Sequence, residues 1–320
     1  MSFIEVKNLK VHYPIRGGFF NKVIDYVYAV DGVSFTIEEG KTYGLVGESG
    51  SGKSTIGKAI IGLEKIKSGK IIYEGKEIDG KFRNRRSEYN RNVQMIFQDS
   101  LSSLNPKKRV IDLISEPLRN FENLTLDEEK RKVSELLEIV GMNREDIYKY
   151  PHEFSGGQRQ RLGIARAVAT KPKLIIADEP VSALDLSVQA QVLNYMKDIQ
   201  EQFGLSYLFI SHDLGVVKHM CDYMFIMYRG RFVETGTKND IYKNPEHFYT
   251  KRLIAAIPEV HPEKRLENKK RRIEIEKEYL KNEKKYYDEN GRVFDLKKLT
   301  DTHFVAFKDE IVKNNGKGGK

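Results

Sequence analysis

Hydrophobic positions along the first 235 residues gather into short β-branched and aromatic runs, separated by stretches of helical period. That alternation predicts an α/β fold built on a parallel sheet. Thr42–Val46 reads as a buried strand ending at a glycine-rich turn, and Ser54–Leu63 as the helix that follows. Lys173–Ala177 and Tyr207–Ser211 are near-continuous apolar runs of strand length, the pattern of strands covered on both faces. Met224–Tyr228 and Arg231–Glu234, joined by Arg229-Gly230, predict a hairpin that turns at the glycine. Phe3–Val11, Val33–Ile37 and Ile71–Ile78 are short, alternating and bounded by turn residues, as in an antiparallel sheet beside the parallel core. Residues from about 100 to 165 are mostly of helical period, Leu126–Gly141 most clearly. They fall between two core strands and read as an inserted helical subdomain.

The chemistry changes around Ile257-Pro258. Residues 263–285 suit an exposed charged helix, with Glu267 and Arg271 spaced i,i+4 for an ion pair. The last stretch, Asn314-Asn-Gly-Lys-Gly-Gly-Lys320, has the composition of a disordered tail. The expected division is one domain over residues 1–258 and a charged extension over 259–320. No internal repeat is visible.

Composition narrows the classes. No apolar run approaches the roughly 18 residues that span a bilayer, and the first residues lack the basic-then-apolar pattern of a signal peptide. Neither membrane insertion nor secretion is therefore expected. The single cysteine, Cys221, allows no internal disulfide and argues against a thiolate-held cluster; it reads as a small buried residue in a reducing compartment. The net charge of +9, much of it after Pro262 at Lys269-Lys-Arg-Arg272 and Lys284-Lys285, suits nucleic acid, an anionic membrane surface or a phosphorylated ligand, and does not choose among them.

Two motifs carry more specific chemistry. Gly47-Glu48-Ser49-Gly50-Ser51-Gly52-Lys53-Ser54 matches the eight-position P-loop in full, after a predicted strand and opening a helix. Its glycines let successive N–H groups converge on one anion, and the helix N-terminus adds partial positive charge. Lys53 brings a mobile charge to the β- and γ-phosphates; Ser54 supplies a hydroxyl for Mg²⁺, and Thr55 is the next candidate contact to nucleotide. Lys173-Leu-Ile-Ile-Ala-Asp178-Glu179-Pro180 is a buried strand ending in two acids. Asp178, at the carboxyl end of that strand, is placed to hold Mg²⁺ through water, and Glu179 to accept a proton from the attacking water.

Phe154-Ser155-Gly156-Gly157-Gln158-Arg159-Gln160-Arg161, lying between those two elements, resembles the signature of ATP-binding-cassette ATPases. The usual form begins with leucine, where this chain has Phe154. The resemblance covers about residues 1–258 and implies roles position by position. Gln98 is similar to the glutamine that senses Mg²⁺ and the lytic water. Ser182-Ala-Leu-Asp185 resembles the loop that signals between two ATP sites. His212 resembles the switch histidine that contacts the γ-phosphate and positions Glu179. Tyr13 resembles the aromatic that stacks on adenine, with Tyr26 and Tyr28 as competitors across an extra stretch, Arg16–Tyr28, read as a loop. The implied architecture is a P-loop ATPase core with a parallel sheet, an N-terminal antiparallel β subdomain, an inserted helical subdomain and a charged C-terminal extension. In this family the signature of one subunit faces the P-loop of another, so that Ser155, Gly156, Gly157, Gln158 and Asp185 would serve a nucleotide bound across a dimer.

Local features narrow the resemblance to the oligopeptide/dipeptide importer ATPases: Asp99-Ser-Leu-Ser-Ser-Leu-Asn105-Pro106 after Gln98, the Arg16–Tyr28 stretch, and Tyr242-Lys-Asn-Pro-Glu-His-Phe-Tyr-Thr250. Phe248 stands where that group usually has proline. Many members carry a cysteine-rich C-terminal segment; this chain has none there and resembles the cysteine-free member of a two-ATPase pair. The resemblance implies ATP and Mg²⁺ as cofactors and a second, related ATPase as partner in a heterodimer. It also implies two multi-span permease subunits, an extracytoplasmic peptide-binding protein reached only indirectly, no nucleic acid, and a place at the cytoplasmic face of the membrane. A DNA-end ATPase would need a long coiled coil between P-loop and signature, where only about 100 residues lie. A ribosome-acting factor usually carries two cassettes, and a non-catalytic module would not need Glu179 and His212.

Overall fold

The computed structural model describes residues 2–18, 20–78, 88–99, 103–257 and 265–308. Strands β1 (Ser2–Gly17) and β2 (Lys22–Glu38) form a long antiparallel hairpin, followed by β3 (Thr42–Val46) and helix α1 (Lys53–Ile60). Next come β4 (Ser68–Tyr73), β5 (Lys76–Glu77), α2 (Glu88–Asn92) and β6 (Val93–Ile96). Helices α3 (Val110–Arg119), α4 (Leu126–Ile139) and α5 (Gly156–Val168) fill the interval before β7 (Leu174–Asp178). The chain continues through α6 (Leu186–Phe203), β8 (Ser206–Ser211), α7 (Leu214–Met220), β9 (Tyr223–Tyr228) and β10 (Arg231–Thr237). It ends with α8 (Lys238–Lys243), α9 (Phe248–Ala255), α10 (Arg265–Asn282), β11 (Leu296–Lys298) and β12 (Phe304–Ala306).

Two sheets result. One is antiparallel in the order β2-β1-β4-β5; the other runs β11-β12-β10-β9-β3-β8-β7-β6, parallel from β9 to β6. Every residue of β3, β7 and β8 is buried, as their apolar runs predict. On β2 the core residues Val33, Phe35 and Ile37 alternate with exposed neighbours, the period of a sheet with one wet face. Helix α4 starts where Thr125 caps it: the Thr125 hydroxyl accepts from Glu128 N, and the Glu128 carboxylate accepts from Thr125 N at 2.8 Å. Cys221 is buried, and burial pushes its thiol well above the ordinary range. Among the described residues no helix is long and apolar enough to cross a membrane.

The stretch Arg16–Tyr28 is not a loop. It is the outer arm of the β1–β2 hairpin, with His12 paired to Tyr28, Arg16 to Val23 and Gly17 to Lys22. The turn closes by Asn21 N donating to Gly18 O at 3.1 Å, with both residues at positive φ. Val23, Ile24, Tyr26, Val27 and Tyr28 are β-formers, but both faces of the arm are exposed, so the inside–outside alternation that betrays a strand is missing.

The C-terminal stretch holds the expected charged helix, α10. The Glu267 side chain, residues 258–264 and the tail from 309 lie outside the described residues. Beyond α10 the chain returns to the main sheet, where β12 pairs with β10 through Glu234–Val305 and Thr235–Phe304. The return is fixed by one buried carboxylate. Glu234, fully buried, accepts from Glu246 N at 2.8 Å and His247 N at 3.0 Å, and lies 2.7 Å from His303 Nε2. Its hydrogen bond raises the His303 pKa, and nearby Asp240 and Glu246 act in the same direction. The native state therefore favours protonated His303. That contribution is complete below the unfolded histidine value of about 6.5 and fades as pH climbs through the higher folded value. The thermal-stability gap between wild type and His303→Gln should be widest in mild acid and shrink as pH rises. Melting curves across a pH series test it, and a gap that does not change with pH counts against the pair.

Candidate active site

The P-loop begins where β3 ends, and its glycines are dictated by close approach. A Cβ on Gly47 would stand 2.2 Å from the Met227 carbonyl oxygen, and one on Gly52, at φ +107°, 1.9 Å from that of Ala29. The loop is fastened from outside by Gly230 N donating to Ser51 O at 3.0 Å. Lys53 opens α1 and is 4% exposed. Its ammonium donates to Gly47 O and Glu48 O, each at 2.8 Å. Burial lowers its pKa, opposed by the negative charges of Glu179, Asp178 and Glu48.

Three adjacent parallel strands deliver the acid side of the site at their carboxyl ends. β7 ends in Asp178, 3% exposed, whose carboxylate accepts from the Ser54 hydroxyl at 2.8 Å. Burial raises the Asp178 pKa, and the Ser54 bond opposes it. Glu179 follows at φ +46°, a left-handed conformation that costs a non-glycine residue ~1–2 kcal/mol. Its own N–H stays paired, donating to Ile210 O at 2.9 Å. Its carboxylate is gripped on both oxygens: Gln98 Nε2, two residues beyond β6, donates to Oε2 at 2.7 Å, and His212 Nδ1, immediately after β8, lies 3.0 Å from Oε1. A carboxylate fixed in this way is oriented toward whatever occupies the mouth of the loop.

The P-loop, Gln98, Glu179 and His212 share one cleft of about 1320 Å³. Ser54, Thr55, Glu48, Ser49 and Gly50 line it, while Ser51 and Gly47 lie beneath in contact with each other and with Lys53. The donor set fits Mg²⁺, a hard cation that takes one or two protein oxygens and completes its shell with phosphate and water. Those oxygens are the Ser54 hydroxyl and the Asp178 carboxylate, with the Gln98 amide close by on Glu179, and among the described residues no group of three or more His, Cys, Asp or Glu gathers. Tyr28 lines the cleft with His12 edge-on to it at 4.6 Å. Tyr13 is not among the residues that line the cleft but lies beside Thr55, which does, and Glu64, and is 38% exposed.

The signature and Asp185 are not among the residues that line the cleft. Ser155 caps α5: its hydroxyl accepts from Gln158 N at 3.3 Å, while Gln158 Oε1 accepts from Ser155 N at 2.9 Å. Asp185 is the exposed residue before α6. Gly156 and Gly157 form the first turn of α5, and none of the residues at this N-terminus lines the cleft at the chain's own P-loop.

Two features of the site lie outside the nucleotide-binding motifs. A charged wall made of Lys10, Asp31, Arg231 and Arg292 flanks the cleft, with Arg292 Nη2 2.7 Å from Asp31 and Arg231 Nη1 3.4 Å from it. Arginine and lysine hold the Asp31 carboxyl below its ordinary range against the opposing effect of burial. The second is Tyr249, whose hydroxyl accepts from Glu48 N at 2.9 Å. The only sequence signal for Tyr249 was its place in the Tyr242–Thr250 motif.

Residues 30–182 match the family described as ABC transporter, and residues 233–289 the one described as oligopeptide/dipeptide transporter, C-terminal region. The oligopeptide transport ATP-binding protein OppF of Lactococcus lactis subsp. lactis (strain IL1403) is 56% identical over 305 residues, covering 95% of this chain and 96% of its own. The protein of that name from Bacillus subtilis (strain 168) is 50% identical over 265 residues, 82% of this chain and 84% of its own. Among solved structures, the dimeric ATP-binding cassette MJ0796 in a post-hydrolysis state bound to ADP and Pi superposes with a TM-score of 0.65 at 24% identity, over 73% of this chain and 98% of that one.

Proposed function

Because this chain belongs to the ABC transporter family, among its oligopeptide/dipeptide transport ATP-binding proteins, we propose that it is the ATP-hydrolysing subunit of an importer for oligopeptides or dipeptides. The observation that carries the chemistry is the Glu179 carboxylate held between Gln98 and His212 at the mouth of the P-loop. In the proposed reaction Glu179 accepts a proton from water as its oxygen attacks the γ-phosphorus, and the bond to the β–γ bridging oxygen breaks to give ADP and phosphate. Gln98 and His212 keep the base aimed. Lys53 exchanges its carbonyl partners for β- and γ-phosphate oxygens, and Tyr13, beside Thr55, stacks on the adenine. Mg²⁺, held by Ser54 and Asp178 with Gln98, would supply neutralisation of phosphate charge.

Geometry also supports the partners. One chain offers a P-loop and, outside the cleft that holds it, the glycine-rich N-terminus of α5. Two cassettes placed head to tail would bring each signature, with Asp185, to the other's nucleotide. We assign the second place to a related ATPase rather than another copy. The helical subdomain meets two multi-span permease subunits at the cytoplasmic side of the membrane, together with the Asp99–Pro106 segment, of which residues 100–102 lie outside the described residues. ATP then supplies differential affinity between closed and open dimers, and that difference moves the permeases. The division into a nucleotide-binding domain over 1–258 and an extension over 259–320 is part of the same proposal. A tagged chain, recovered from native membranes in mild detergent, should bring down two multi-span proteins and one related ATPase. Recovery of ribosomes or nucleic acid without a membrane protein would overturn the reading.

A further inference from the structure

The Tyr242–Thr250 motif has no part in the chemistry above, yet one of its side chains reaches the P-loop. Tyr249, 1% exposed, accepts the Glu48 N–H at 2.9 Å across 201 residues of sequence. That N–H and the Gly47 carbonyl belong to one peptide unit. In a trans peptide the two bonds lie in one plane and point in opposite directions. The Gly47 oxygen accepts from Lys53 Nζ at 2.8 Å, so the peptide is clasped by the Tyr249 hydroxyl on one edge and the Lys53 ammonium on the other.

Tyr249 is itself held firmly. It lies at the start of α9, where its own N–H donates to His247 Nδ1 at 3.1 Å. The His247 backbone donates to the buried Glu234 carboxylate, which His303 of the returning C-terminal strand also holds. Its ring packs on Tyr228 at 4.6 Å, which packs on Tyr287 at 5.5 Å. A line of buried contacts thus runs from the C-terminal region to the first turn of the phosphate cradle.

We infer that Tyr249 is a positioning residue for the P-loop: it fixes the Gly47–Glu48 peptide, and through it the C-terminal region sets the affinity for nucleotide. This rests on the reading of Lys53 and its loop as the phosphate site. Without the hydroxyl the peptide can rotate, and the cradle must be ordered by the nucleotide itself, which weakens binding. Tyr249→Phe removes one oxygen and leaves the ring packing in place. In the full-length chain it should raise the Kd for ATP about fivefold, which is ~1 kcal/mol at 1.4 kcal/mol per decade, the usual net worth of one hydrogen bond. With partner subunits present, KM for ATP should rise while kcat at saturating ATP is unchanged, a split that general loosening of the fold would not produce. Backbone amide exchange gives a second, independent readout. The Glu48 amide should be protected in nucleotide-free wild type and lose that protection in Tyr249→Phe, with the core strands unaffected. An unchanged or tighter Kd, or a Glu48 amide that exchanges at open-loop rates in wild type, overturns the inference. Lys53→Ala run beside it separates the two levels. If Lys53→Ala loses ATP and Tyr249→Phe does not, only this inference fails; if neither does, the assignment of the phosphate site fails with it.

Discussion

Replacing Glu179 by glutamine should leave ATP binding intact and lower turnover by roughly 100- to 10,000-fold, the range that a positioned general base contributes. The substitution is close to isosteric, and the amide oxygen can still accept from Gln98, which donates to Oε2 at 2.7 Å in the wild type. What disappears is the ability to take a proton from water. The negative charge near Lys53 also goes, and its removal takes away repulsion toward the phosphates of an incoming nucleotide. A chain that binds ATP and cannot consume it should hold its dimer closed, so the variant should elute with its partner ATPase as a stable pair in ATP and separate in ADP. Steady-state phosphate release and size-exclusion chromatography in each nucleotide measure the two halves. Wild-type turnover would place the base elsewhere. Loss of ATP binding would mean that the Glu179 carboxylate supports the fold, through its bonds to Gln98 and His212, rather than the chemistry.

How legible this site was follows from how local each part of it is. The P-loop is a contiguous string whose conformation depends on its own glycines, and Asp178, Glu179 and His212 each stand at the end of an apolar run that could only be a buried strand. Strand ends in a parallel sheet point to one edge, which brings Glu179 and His212 together from two strand readings; Gln98 joined them only through the family resemblance, because the four-residue strand before it, β6, is too short to stand out. The β1–β2 arm was illegible as strand because it buries nothing. Strands β11 and β12 are three residues each and exist through pairing, β12 with β10 and β11 with β12, a tertiary fact without a periodic trace. The Tyr249–Glu48 and Arg292–Asp31 contacts join residues about 200 and 260 positions apart, and no spacing rule reaches so far. Side chains that bind backbone N–H groups are harder still to read, since their partner carries no residue type.

Lys53→Ala should abolish useful nucleotide affinity while leaving the fold as stable as before or more so. The ammonium is almost fully buried, and its close partners are two backbone carbonyls and the Ser51 hydroxyl. Burial already works against its charge. Deleting it removes a desolvated cation and opens space toward the cleft that Glu48 lines. Toward ATP the balance reverses. A hydrogen bond to a charged group is worth ~1.5–3 kcal/mol, and losing one at each of two phosphates raises Kd by roughly 100- to 10,000-fold. Arginine should not rescue the function, because its planar fork cannot occupy the narrow space between the Gly47 and Glu48 carbonyls that a tetrahedral ammonium fills. The two properties can be read in one experiment. Ligand that binds only the native state raises the melting temperature in proportion to RT ln(1 + [L]/Kd). Wild type should therefore melt progressively higher with added ATP, whereas Lys53→Ala should start at or above the wild-type baseline and show no response. A variant that melts lower and still responds to ATP would show Lys53 to be part of the loop's structure and not its contact with phosphate.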